Sequence, residues 1–214
     1  MKRLTLFVYV LLVASLAMGQ NEKYYQKMEE TLQGFSTCSS KEDFQDLANR
    51  FRVIGNVETS EWLPLYYEAQ CYIIIGFMGE QTNEEKDSYL DKASSVIERM
   101  KKMAPDEAEI HVLEAFCLTG SLVVNPPQRA MENTPLIHAS IAQAQALEPN
   151  NPRALLMRIS NEIGTAQFFG DDIAPLCKEA VQLLQNWDSY QLKSPIHPNW
   201  GKTEVEGIVK ECGE

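Results

Sequence analysis

The feature that constrains this chain most is that it repeats itself. "EAQCY" (Glu68–Tyr72) returns as "EAFCL" (Glu114–Leu118) at an offset of 46 residues. Around it, "SYLDKASSVIERMKKMAPDEAEI" aligns with "PLIHASIAQAQALEPNNPRA". Each segment has a proline just past its periodic stretch, Pro105 or Pro149. Small or apolar residues stand five, eight and twelve positions earlier: Met100, Ile97 and Ala93 in the first segment, Ala144, Ile141 and Ile137 in the second. A fixed period of this size marks units that cannot bury their apolar face alone and must stack on one another. Within each unit a small residue lets two helices approach, a bulky one fills the groove beyond, and proline ends the helix.

The other segments also read as helix, with almost no strand-like alternation. Tyr25, Met28 and Leu32 share one face of 21–33, and the stretch Gly34–Ser39 breaks it. Ser40 with Asp43 three residues on caps a helix in which Phe44, Leu47, Ala48 and Phe51 fall at helical spacing. Further helices are expected from near Ser60 through "LYYEAQCYIIIGFM", from the Thr82–Glu85 cap to Pro105, and over 107–122. After a loop over 123–133, Thr134 and Pro135 stand as N-cap and first residue of the next helix. Helices over 153–166, 173–187 and 202–212 complete the chain. The expectation is an all-α fold, an α-α superhelix of stacked helical hairpins with a C-terminal capping helix.

At these residues the chain resembles the tetratricopeptide (TPR) family, whose second helix carries a small residue, an aromatic, another small residue and then a proline. The resemblance spans about Ser60 to Trp187 as three hairpins, with 21–57 a degenerate leading hairpin and 188–214 a proline-rich connection and cap. The period departs from the family, 44 to 46 residues against about 34. The early tryptophan is present as Trp62 but is His111 in the next unit, and the glycine that follows is Ala69 and Ala115. "EWLPLYYEAQCYI", "PNNPRA", the "FFG" loop and "SPIHPNWGK" together look like exported TPR-like proteins of Gram-negative bacteria. The resemblance implies a non-enzymatic scaffold that holds a protein or peptide on its concave face. Its groove would be contributed by Tyr66, Gln70, Val112, Phe116, Leu156 and Ser160, with Glu109 and Arg153 at the edge.

The start of the chain argues for export. Lys2 and Arg3 precede an uncharged run from Leu4 to Gly19 that ends in small residues at Ala17 and Gly19, the plan of a secretory signal peptide. The run is short for a membrane span, and no cysteine follows it closely enough for lipidation, the first being Cys38. Cleavage near Gly19 leaves a single domain over 20–214 and a periplasmic or secreted location. The formal net charge is −11 and becomes more negative once Lys2 and Arg3 leave. That excludes the basic stripe a nucleic acid needs and disfavours an anionic membrane surface.

Chemistry-bearing residues are sparse. None of the five cysteines forms a CxxC pair, and no histidine stands at ligand spacing to a cysteine or another histidine, so no metal or cofactor is expected. Cys71 and Cys117 occupy equivalent positions in successive units and read as small core residues. Cys177 and Cys212 lie at matching heights on two helices that would pack antiparallel, and they are the candidate disulfide. His111 reads as structural and His138 as a surface residue. The acidic pair Asp171–Asp172 reads as helix capping. An alternative function, a hydrolase or carbohydrate-active accessory, would use the loops 123–133 and 167–172 through Glu132, Asp171 or His138. The stretch "SPIHPNWG" reads as a structural clasp: Pro195 and Pro198 hold the chain extended, Gly201 turns it into the last helix, Trp200 packs, and His197 has a packing or surface role.

Overall fold

The computed structural model describes residues 22–79 and 81–213. The export leader expected over 1–19 lies outside the described residues. Among these residues the chain forms nine α-helices and no strand. They are α1 (22–32), α2 (Lys41–Val57), α3 (Leu63–Phe77), α4 (Asn83–Met103), α5 (Ala108–Val124), α6 (Pro126–Leu147), α7 (Pro152–Phe169), α8 (Ala174–Asn186) and α9 (Lys202–Glu211). No helix among them is long and apolar enough to cross a membrane.

Two of the expected helix caps form as the sequence placed them. Ser40 and Asp43 exchange side-chain and backbone hydrogen bonds at the start of α2, and Thr82 and Glu85 do the same for α4. α3 pairs with α4, α5 with α6 and α7 with α8, while α3, α5 and α7 also touch in a row. That row of first helices forms one wall of an α-α superhelix, and α9 closes the end on α8. The small residues of the repeat sit fully buried at the crossings: Ala69, Ala93, Ala115, Ala144 and Ala154. Cys71 and Cys117 are free and buried. Cys177 of α8 and Cys212 at the end of α9 are joined as a disulfide, their Cα atoms 5.8 Å apart.

Of two expected loops, 123–133 is largely helical and 167–172 is helical only as far as Phe169. α6 begins at Pro126 rather than Thr134, with Pro126 and Pro127 in its first turn, where backbone N–H groups have no helical partner to lose. Arg129 then anchors this turn, donating to both carboxylate oxygens of Asp87 at 2.7 Å and to the carbonyl of Ser121 at 3.0 Å. Pro135 therefore lies inside the helix, not at its start. The carbonyl it cannot serve belongs to Met131, which is 95% exposed and open to water. α7 likewise runs on to Phe169 and stops at Gly170, whose φ of 78° closes the helix in the left-handed region.

The deepest polar feature binds α5 to α7. Arg153 donates to both oxygens of Glu109, from Nε at 2.8 Å and Nη2 at 2.6 Å, with 1% and 0% of the two side chains exposed. Burial works against the arginine's charge, but the Glu109 carboxylate outweighs it and raises the Arg153 pKa. Removing one partner leaves the other charge buried and alone, so Glu109→Ala or Arg153→Ala should each cost about 3–5 kcal/mol in denaturant titrations. The double variant Glu109→Leu/Arg153→Met should recover most of that loss. A single variant as stable as the wild type would contradict this account.

Candidate functional site

The site is assembled outward from that pair. Asn151 is the N-cap of α7: its Oδ1 accepts from the backbone N–H groups of Arg153 and Ala154, each at 3.0 Å. Its amide donates to Glu109 at 2.5 Å and to Glu148 at 3.0 Å, so the cap and the ion pair form one network. The chain returns over this network after α8. Tyr190 lays its ring on the Arg153 guanidinium, 5.2 Å to the centroid, and its hydroxyl donates to Glu148 at 3.1 Å. Lys193 bridges Glu107 at 2.8 Å and Glu148 at 2.5 Å.

The segment 190–201 then crosses the first helices as a strap. Ile196 is fully buried in the largest apolar cluster, and its carbonyl accepts from the Tyr67 hydroxyl at 2.8 Å. His197 packs edge-on against Trp62, 5.9 Å between centroids. It is 4% exposed, and neither ring nitrogen has a hydrogen-bond partner among the described residues. The Trp200 indole N–H donates to the Tyr66 hydroxyl at 2.8 Å, while its ring stacks on Phe116 at 5.4 Å. Phe116 stacks in turn on Phe77 at 5.1 Å. Gly201 has a φ of 111°, and an added Cβ would meet Trp187 at 2.7 Å, so only glycine turns the strap into α9 here.

Beyond the strap, between α3, α5, α7 and α9, a cleft of about 250 Å³ remains open. Ile74, Phe77, Phe116, Leu156, Met157 and Trp200 line it with apolar surface. Its polar groups are Gln70, Thr119, Ser160, Asn161 and Glu204, of which only Glu204 is ionisable. Thr119 and Asn161 are committed to each other at 3.2 Å and to the helix carbonyls of Ala115 and Met157, both at 2.8 Å.

The eight groove residues expected from the sequence therefore divide. Gln70, Phe116, Leu156 and Ser160 line the cleft. Tyr66, Glu109, Val112 and Arg153 are essentially buried. Val112 is packed against α6 and α7, and the other three lie under or beside the strap. Pro198 and Gly201 of the clasp are buried, Pro195 is exposed, and Trp200 is half-buried because one side faces the cleft. Sequence reasoning missed Ile74, Phe77, Thr119, Met157 and Asn161. Helical spacing from Gln70, Phe116 and Leu156 carries that signal, since 70, 74 and 77 share a face, as do 116 and 119, and 157, 160 and 161. It missed Glu204 because nothing in the sequence seats α9 on this face.

The residues of the alternative reading do not converge. Glu132, His138 and Asp171 are exposed and do not line this cleft or either of two others among the described residues. His111 is buried, 3.4 Å from the Pro105 carbonyl and 3.6 Å from Glu114. Burial alone would raise the Glu114 pKa, but His111, Lys101 and Ser140 outweigh it and lower it to about 2. No group of three or more His, Cys, Asp or Glu side chains is placed to hold a metal among the described residues.

No protein-family model matches the chain. No curated protein matches it either. Among solved structures it is similar to the HusA haemophore from Porphyromonas gingivalis, with a TM-score of 0.77 and 24% sequence identity over 88% of this chain and 92% of that one. At that identity the likeness shows the fold.

Burial drives the His197 pKa down from 6.5 to about 4, against the pull of Glu109 and with the help of Lys193 and Arg153. The folded pKa is depressed, so this group's contribution to stability is complete above pH 6.5 and is lost as pH falls toward 4. That loss amounts to about 3 kcal/mol. Urea titrations from pH 7 to pH 4 should show it in the wild type and show a smaller fall in His197→Phe. Equal pH dependence of the two proteins would overturn the assignment.

Proposed function

We propose that this chain is an exported, non-enzymatic binding protein whose cleft seats a flat, largely apolar ligand of the porphyrin class. The observation that carries the reading is the wall of three rings, Phe77, Phe116 and Trp200, stacked in series beside a cleft with one ionisable side chain. Such a wall offers a broad apolar face, and apolar burial is worth about 25 cal/mol per Å². Stacked rings add about 0.5–1.5 kcal/mol per pair. The similarity to a haemophore supports the ligand class, since the same helical architecture there belongs to a haem carrier. The leader-like N-terminus supports export.

The occupant implied by the family resemblance, an extended protein or peptide segment, fits the site less well. The strap already lies across the inner half of the groove, tied by Tyr66, Tyr67, Glu107 and Glu148. A peptide would have to displace it, whereas a flat ligand enters beside it. The hydrolase alternative draws no support from Glu132, His138 and Asp171, which point to no common cleft.

Titration of the mature chain with haemin and with protoporphyrin IX should quench tryptophan fluorescence and shift the Soret band in a saturable way. Phe116→Ala and Trp200→Ala should each weaken binding at least tenfold, which corresponds to about 1.4 kcal/mol. Trp200→Ala should also cost about 2 kcal/mol of stability, less than for a fully buried tryptophan because one side of the ring faces the cleft. Unchanged affinity in both variants would contradict the reading.

A further inference from the structure

We infer that the cleft selects ligands by where they carry charge, taking in a neutral, hydrogen-bonding edge against Gln70 and keeping carboxylates outside, beyond Glu204. This rests on the reading of the cleft as the seat of a flat porphyrin-like ligand, and it specifies which porphyrins that seat accepts. Gln70 belongs to the middle of α3, is 6% exposed and lines the cleft. Buried amides are ordinarily paired, because a donor and an acceptor withdrawn from water are costly to leave unmet. The other buried amides of this region, Asn151 and Asn133, are paired. Gln70 faces the cleft, and its amide offers two donors and an acceptor to whatever enters.

The electrostatics of the cleft run the other way for an anion. No lysine or arginine lines it. The cations nearest along the chain are committed elsewhere, Arg158 to Glu162 at 2.9 Å and to Glu179, and Lys202 to both oxygens of Asp188 at 2.8 Å. Glu204, exposed on the first turn of α9, adds a negative charge on the α9 side. A carboxylate carried inward would lose its hydration, find no counter-ion and meet that charge. A neutral carbonyl carried inward would accept from the Gln70 amide. The orientation follows: apolar or neutral edge inward, carboxylates in water.

Three porphyrins that differ only at the edge opposite their two shared propionates test this. Protoporphyrin IX carries vinyl groups there, diacetyldeuteroporphyrin IX carries acetyl groups, and coproporphyrin III carries two further propionates. The expected order of affinity is acetyl, then vinyl, then propionate, with coproporphyrin at least tenfold weaker than protoporphyrin. In Gln70→Leu, a change of similar volume, the advantage of acetyl over vinyl should disappear while protoporphyrin still binds. In Glu204→Lys, an exposed change that leaves the core alone, protoporphyrin should bind several-fold tighter at low salt. Equal affinity for all three ligands, or a uniform loss for all three in Gln70→Leu, would overturn the orientation and leave the porphyrin reading in place. Failure of every porphyrin to bind the wild type would overturn both.

Discussion

The ion pair between Arg153 and Glu109 is the constraint on which the rest of the structure depends. Both charges are withdrawn from water, so both must be fully served, and the geometry required to serve them is narrow. The arginine fork fits the carboxylate in one register of α7 against α5. Asn151 ties that register to the start of α7 by capping the helix with one end of its amide and holding Glu109 with the other. Tyr190 covers the guanidinium from above, so the returning chain is aimed by the same charge. Replaced by apolar residues of similar volume, the pair would cost little to lose, but the register and the aim of the strap would lose their determinant.

From that fixed point the cleft follows by exclusion. The strap fills the inner half of the concave face and carries Trp200 to Phe116, which leaves only the outer half open. The buried Ile196 with its Tyr67 hydrogen bond, the Lys193 ion pairs and the Trp200–Tyr66 hydrogen bond keep it in place, and the α8–α9 disulfide pins the cap behind Trp200. The cleft wall is thus a property of the chain's last 25 or so residues as much as of the repeats. One indole ring thus serves both the wall of the cleft and the attachment of the strap.

The parts legible in the sequence were those set by local chemistry and by the repeat. Capping boxes at Ser40 and Thr82, the small residues at the crossings, and the role of Gly201 all follow from residue type and spacing. Two features were hidden for physical reasons. The helix from Pro126 is stabilised by Arg129 reaching Asp87, a partner 42 residues away that no local pattern reveals. The covering of Tyr66 and Arg153 depends on the path of the strap, and proline-rich sequence says that a segment is extended without saying where it lies. The site was therefore half visible: the helices that wall the cleft were evident, while the element that closes it was evident only as a turn.

The central claim is that Trp200 forms a wall of a ligand cleft, and the indole N–H resonances of the three tryptophans test it most directly. Metal-free protoporphyrin IX added to isotope-labelled mature chain should displace the Trp200 resonance by its ring current, while Trp62 and Trp187, which do not line the cleft, move little. A saturating titration that leaves Trp200 in place, or shifts Trp62 or Trp187 instead, would contradict the account.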